Sequence, residues 1–138
     1  MNKNITGAIA IMAVRNVEKT SQLLINLLNW KSMHGGSEFD ILMDQNNVAT
    51  LLLHAFESHD HKRFNGIHNH TIGIGISLYV FPEKDISEVY EKVKEQNLQI
   101  IEPLFENANS KAKEFTFKLS EGHQISVCDT GQWIYYGL

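Results

Sequence analysis

Along this chain the spacing of apolar positions switches from strand-like to helix-like and back, and it does so twice. Residues 5–14, ITGAIAIMAV, form an apolar run of strand length. The following NVEKTSQLLINLLN carries Val17, Thr20, Leu24, Leu27 and Leu28 at helical spacing behind Asn16, a residue suited to cap a helix. Residues 72–80, IGIGISLYV, are again a strand-like run. A helix then opens at Asp85, with Glu88 three residues on and Ile86, Val89, Tyr90 and Val93 on one face. Three strand candidates follow each helix: WKSMH, EFDILMD and VATLLLHA in the first half, LQIIEPL, KEFTFKL and HQISVCD in the second. GGS, QNN and SEG punctuate several joints. Each half therefore reads β-α-β-β-β. The predicted class is α+β: one domain over 1–138, with modules at 5–55 and 72–129, a His-rich linker at 56–71 and an aromatic tail at 130–138.

Alternation along the strands predicts what each face carries. On IGIGISLYV, Ile74, Ile76, Leu78 and Val80 are expected against the helix, leaving Gly73, Gly75, Ser77 and Tyr79 on the other face. On HQISVCD, Ile125 and Val127 go to the helix and Gln124, Ser126 and Cys128 to the open side. The inward set expected of the first module is Ile9, Ile11, Ala13, Ala49, Leu51 and Leu53. A pocket with one greasy wall and one hydrogen-bonding wall suits a small organic molecule. The candidate ligand-binding residues are Gly75, Ser77, Tyr79, Gln124, Ser126, Leu51, Leu53 and Trp133. The last lies in the tail TGQWIYYGL, expected to cover the pocket or to pack on a second subunit. Trp30 is expected in the core or at a subunit contact.

Charge and composition narrow the classes. Twelve basic against 16 acidic residues give a formal charge of −4 without a Lys/Arg stripe, which argues against nucleic-acid binding. The single Cys128 cannot form an intramolecular disulfide. No apolar run approaches the ~20 residues that span a bilayer, and the N-terminus has no long apolar signal core, so a cytoplasmic protein is expected. The stretch HAFESHDHKRFNGIHNH holds His54, His59, His61, His68 and His70. The last four fall in the polar linker, which reads as a solvated loop, although His-x-His spacing can also bind a metal at a surface. His54, His34 and His123 stand near strand ends or turns. Tyr79 is a candidate proton donor and Glu102, Glu106 and Glu114 are candidate bases, but no spacing forces them together. Glu38, Asp40 and Asp44 recur with period 2, as on a solvated strand face or one that binds a cation.

The tandem β-α-β-β-β plan resembles the vicinal oxygen chelate superfamily, which includes glyoxalase I, extradiol dioxygenases and the bleomycin-resistance proteins. AIAIMAVRNVEKTSQLL, GIGISLYV and EPLFENANSKAKEFTFKLSEGHQISV carry the resemblance, which covers residues 5–129. It implies strands curled into a half-open, cup-like mixed sheet with helices on the outer face, often completed by dimerisation, with the ligand inside. Metal-using members of the superfamily place one ligand on the first and one on the fourth strand of each module. Those positions fall here on Ile9, Leu51, Gly75 and Ser126, and none offers an imidazole, carboxylate or thiolate. The expectation is a homodimer that binds a small organic molecule with no metal or cofactor, more a binding protein than an enzyme. The alternative is a metal-dependent lyase, isomerase or dioxygenase related to glyoxalase I.

Overall fold

The computed structural model describes residues 8–58, 63–65, 75–109 and 111–129. In chain order the elements are β1 (Ile11–Val14), α1 (Val17–Leu28), β2 (Lys31–Ser32), β3 (Phe39–Met43), β4 (Ala49–Ala55), β5 (Ser77–Val80), α2 (Ile86–Glu95), β6 (Gln99–Glu106), β7 (Lys113–Lys118) and β8 (Gln124–Cys128). They form two sheets of identical topology, β1-β4-β3-β2 and β5-β8-β7-β6. In each, the outer strand pairs parallel with the module's last strand and the remaining pairs are antiparallel. Packing divides the chain into two compact units, residues 1–25 with 30–68 and residues 26–29 with 69–138.

Both helices start and stop by the same devices. The Asn16 side chain accepts from the Lys19 N–H at 2.9 Å, and the Asp85 carboxylate accepts from the Ser87 N–H at 2.8 Å, so each satisfies a donor that the first turn leaves over. Past each helix stands an asparagine in the left-handed region, Asn29 (φ 59°) and Asn97 (φ 56°), where the short amide side chain tolerates the turn that ends the helix. The predicted apolar stripes are the buried ones: Val17, Thr20, Leu24, Leu27 and Leu28 on α1, and Ile86, Val89 and Val93 on α2. Trp30, directly after α1, is buried as well.

Cross-strand partners share a sheet face, so register shows which residues face the helix. In the first unit Met12 pairs with Leu53 and Leu53 with Asp40, whose carboxylate accepts from Ser21 Oγ of α1 at 2.6 Å. Met12, Leu53, Asp40, Leu42 and Leu51 therefore share the helix face, and Leu42, Leu51 and Leu53 are fully buried there. Leu51 and Leu53 thus do not belong to the inward set expected of the first module. Ile11, Leu52 and Ile41, then Ala13, His54 and Phe39, occupy the opposite side. A one-residue error in parity flips a whole strand, and β4 invites it because Leu51, Leu52 and Leu53 follow one another without a polar residue between them. In the second unit Phe115, Phe117, Ile125, Val127 and Val80 are buried on the helix face, with the Tyr90 ring of α2 edge-on to Phe115 at 4.9 Å. Gly75 is a second correction: it occupies a turn ahead of β5 with φ +79°, not a strand position on a pocket floor.

Candidate functional site: a wired polar face and an imidazole-lined hollow

The side of the second sheet turned away from its helix is polar along whole rows of the sheet. One row runs Tyr79, Ser126, Thr116 and Glu102 across β5, β8, β7 and β6, and its neighbour runs Ser77, Gln124, Lys118 and Gln99. Alternation places these side chains on one face and the phenylalanines on the other. Ser77 Oγ lies 2.6 Å from Ser126 Oγ, Ser126 Oγ lies 2.9 Å from Thr116 Oγ1, and Thr116 Oγ1 donates to Glu102 Oε1 at 3.1 Å. Three hydroxyls on three different strands are thereby linked into one chain ending on a carboxylate. Thr116 and Ser126 are buried at 4% and 6% exposure, while Ser77, Tyr79 and Glu102 are exposed, so the chain leads from a buried middle to two accessible ends.

Tyr79 belongs to the same surface. Burial pushes its phenol above the ordinary tyrosine range, and the carboxylate of Glu114, the thiol of Cys128 and the carboxylate of Glu102 reinforce the shift, as does the hydrogen bond from the phenol to Glu114. Tyr79, Glu102 and Glu114, which no spacing in the sequence brings together, thus share one face, with Glu114 within reach of the phenol and Glu102 at the far end of the row. Cys128 pairs with Glu114 across β7 and β8 and is fully buried.

Of the predicted ligand-binding residues, Ser77, Tyr79, Gln124 and Ser126 share this face; Gly75 lies in the turn leading to it; Leu51 and Leu53 are core residues of the first unit; Trp133 lies outside the described residues. Thr116, which the sequence reading did not single out, sits at the centre of the hydroxyl chain. Its signal was the period-2 polar set Glu114, Thr116 and Lys118 in KEFTFKL.

The first unit carries a different site. A hollow of about 460 Å³ is lined by His34, Ser37, Glu38, Phe39, His54 and Ser58. The rings form an edge-to-face series, His34 to Phe39 at 5.2 Å, Phe39 to His54 at 6.3 Å and His54 to Phe64 at 5.5 Å. His34 Nδ1 lies 2.6 Å from the Gly35 carbonyl and His54 Nδ1 lies 2.7 Å from the Ala55 carbonyl. A carbonyl can only accept, so both Nδ1 atoms carry the proton.

The loop supplying His34 is anchored by Asp40. Its carboxylate accepts from Ser21 Oγ at 2.6 Å, Ser32 Oγ at 2.7 Å and the Gly35 N–H at 2.7 Å, and from the Ile41 N–H at 2.8 Å. Burial pushes its pKa up, but the hydrogen bonds from Ser21, Gly35, Ser32 and Ile41 outweigh that, and the carboxyl is held below its ordinary value of 3.8. Asp40 is 2% exposed, so the solvated acidic face suggested by Glu38, Asp40 and Asp44 is not there. Asp44 instead accepts from the Asn46 and Val48 N–H groups and closes the turn between β3 and β4.

The positions to which the sequence resemblance assigns metal ligands offer no donor set, and two of them, Leu51 and Gly75, do not lie on the open side of a strand at all. Ile9 is an exposed alkyl group ahead of β1, Leu51 is buried on the helix side, Gly75 has no side chain and Ser126 commits its hydroxyl to Ser77 and Thr116. Among the described residues no three His, Cys, Asp or Glu side chains converge on a point where an ion would sit. His59, His61, His68 and His70 lie outside the described residues.

Neither a protein-family model nor a curated protein sequence matches the chain. Solved structures do. A protein of unknown function from Agrobacterium tumefaciens superimposes with a TM-score of 0.72 at 18% identity, covering 94% of this chain and 97% of that one. A member of the glyoxalase/bleomycin resistance protein/dioxygenase superfamily from Sphaerobacter thermophilus gives 0.61 at 17% identity over 91% and 98%. The fosfomycin resistance protein FosX from Mesorhizobium loti gives 0.60 at 13% identity over 97% and 98%. With two β-α-β-β-β units of matching strand order, the chain has the fold of the glyoxalase, bleomycin-resistance and dioxygenase superfamily, the vicinal oxygen chelate fold.

Proposed function

We propose that the protein binds a small organic molecule, without a metal ion, on the polar face of the second sheet. The observation that carries this reading is the chain of hydroxyls from Ser77 to Glu102. A dry structural sheet has no need of hydroxyls linked from strand to strand and wired to a surface carboxylate, and such a run orients fixed dipoles at its accessible end, where a ligand is recognised. The fold supports the reading, since it is shared with a fosfomycin resistance protein and with a member of the glyoxalase/bleomycin resistance protein/dioxygenase superfamily. In this reading the protein acts as a cytoplasmic homodimer. Sedimentation at high protein concentration tests the dimer, and a monomer mass counts against it.

The test of binding is a thermal-shift screen of small organic molecules in the presence of a strong chelator. A ligand at about 100 times its Kd adds roughly 2.7 kcal/mol of stability. The hit is then titrated into Ser77→Val and Phe39→Ala. Weakened binding in Ser77→Val alone supports the site. Binding that requires an added metal, or that responds to Phe39→Ala and not to Ser77→Val, overturns the reading.

A further inference from the structure

The hydroxyl chain has only one consistent arrangement of its protons, and that arrangement selects a class of ligand. A carboxylate accepts and does not donate, so the single Thr116 hydroxyl proton is directed at Glu102 Oε1, 3.1 Å away. The 2.9 Å contact between Thr116 and Ser126 must then use the proton of Ser126. Ser126 has no second proton, so the 2.6 Å contact with Ser77 uses the proton of Ser77. Every donor in the series points inward, toward Glu102. What exposed Ser77 presents outward is a pair of lone pairs. Tyr79 stands in the adjoining row, within reach of the Glu114 carboxylate, which accepts from a phenol and cannot donate to it. We infer that this face recognises a ligand through N–H donors, as an organic ammonium or amidinium group does, and rejects oxyanions.

The inference rests on the proposed binding site and adds the polarity of its ligand. The charges on the face agree with it. Glu102 and Glu114 stand in or beside the row of Tyr79 and Lys118 stands in the row of Ser77, so these rows carry two carboxylates against one ammonium. An oxyanion at Ser77 would face a hydroxyl oxygen whose proton is committed inward, in a series that ends on the carboxylate of Glu102. An ammonium finds acceptors in the same place, and the carboxylates favour its charge.

The experiment compares probes of similar shape by amide and side-chain NMR of the whole protein: 2-phenylethylammonium, 3-phenylpropionate and the neutral acceptor acetophenone. Saturable shifts at Ser77, Tyr79 and Ser126 are expected with the ammonium, and affinity for it should exceed that for the carboxylate by at least tenfold. Glu102→Gln supplies the variant that a merely structural role would not predict. A glutamine amide can donate to Thr116, which frees the series to run the other way and to present the Ser77 proton outward. In that variant the preference for the ammonium should fall at least fivefold, with the melting temperature close to wild type because Glu102 is exposed. Equal or tighter binding of 3-phenylpropionate or acetophenone at these residues in the wild type overturns the polarity while leaving the binding site standing. An unchanged preference in folded Glu102→Gln overturns it as well. Absence of shifts at Ser77, Tyr79 and Ser126 with all three probes at 10 mM removes the site and the inference together.

Discussion

On the first sheet the side turned away from the helix carries Ile11, Leu52 and Ile41 in one row and Ala13, His54 and Phe39 in the next. On the second sheet the same side carries Ser77, Gln124 and Lys118, then Tyr79, Ser126, Thr116 and Glu102. The strand order, the parallel outer pair and the capped helix are common to both. Backbone architecture therefore does not decide what such a face does. The helix sides are alike because both must exclude water, so they converge on Leu, Ile, Val and Phe. The opposite sides are free to differ, and one has become aliphatic and aromatic with a hollow at its end while the other has become a set of oriented dipoles.

The sharpest way to break this comparison is to exchange weight between the two sides of one strand. Leu53→Ala removes a fully buried side chain from the helix face and should cost about 3 kcal/mol in denaturant unfolding. Leu52→Ala, next to it and half-buried on the other side, should cost about 1 kcal/mol. A reversed order would place β4 the other way up. Asp40→Asn should follow, at about 2 kcal/mol near neutral pH, because a charge-assisted set of hydrogen bonds becomes a neutral one and the amide brings a donor into a ring of donors. Its pH dependence is specific. With its folded pKa held below 3.8, Asp40 contributes stability that is fully present above 3.8 and is lost as pH falls through the depressed folded value. Thermal melts of wild type and variant should therefore converge in acid, and a constant gap would show that the charge is immaterial.

In the second unit Ser126→Ala interrupts the hydroxyl series in its middle and strands partners on both sides, for an expected loss of about 1.5 kcal/mol by chemical denaturation. The smallest effect is expected at Gly75. An added Cβ meets nothing within 4 Å, so Gly75→Leu should cost about 1 kcal/mol from the left-handed backbone alone, and Gly75→Asn less than that. A loss of several kcal/mol in the leucine variant would mean that the space about this turn is filled.

The sequence reading succeeded where a local pattern has one physical solution. Asn16 and Asp85 precede apolar stripes at helical spacing, and both are caps; KEFTFKL and HQISVCD alternate cleanly, and both present the faces that alternation predicts. It failed where two faces read alike or where the partner is distant in sequence. Leu51, Leu52 and Leu53 give no parity, and the irregularity between Leu42 and Met43 displaces the count along β3 and β4. Gly73 and Gly75 alternate as strand residues do, yet the left-handed φ of Gly75 marks a turn. Asp40 reads as a surface acid because its donors, Ser21 and Ser32, lie in other elements. His34 and His54 share a hollow only because β3 folds back on β4, which local spacing cannot convey.

The position of β8 within its sheet has a consequence for how the chain is made. Among the described strands β5 has a single neighbour, and that neighbour is the last strand of the module. During synthesis β5 leaves the ribosome long before β8 exists, while β6 and β7 can pair with each other as soon as they emerge. The second sheet must therefore assemble from its far edge inward, with β8 entering last and joining two pieces already made. Until then β5 waits with an unpaired edge, and its serine and tyrosine make that wait safer than the one imposed on IMAV of β1, which stays alone until β4 arrives. Translation that pauses between β7 and β8 should expose this difference, and a chain truncated before β8 would release β5 altogether.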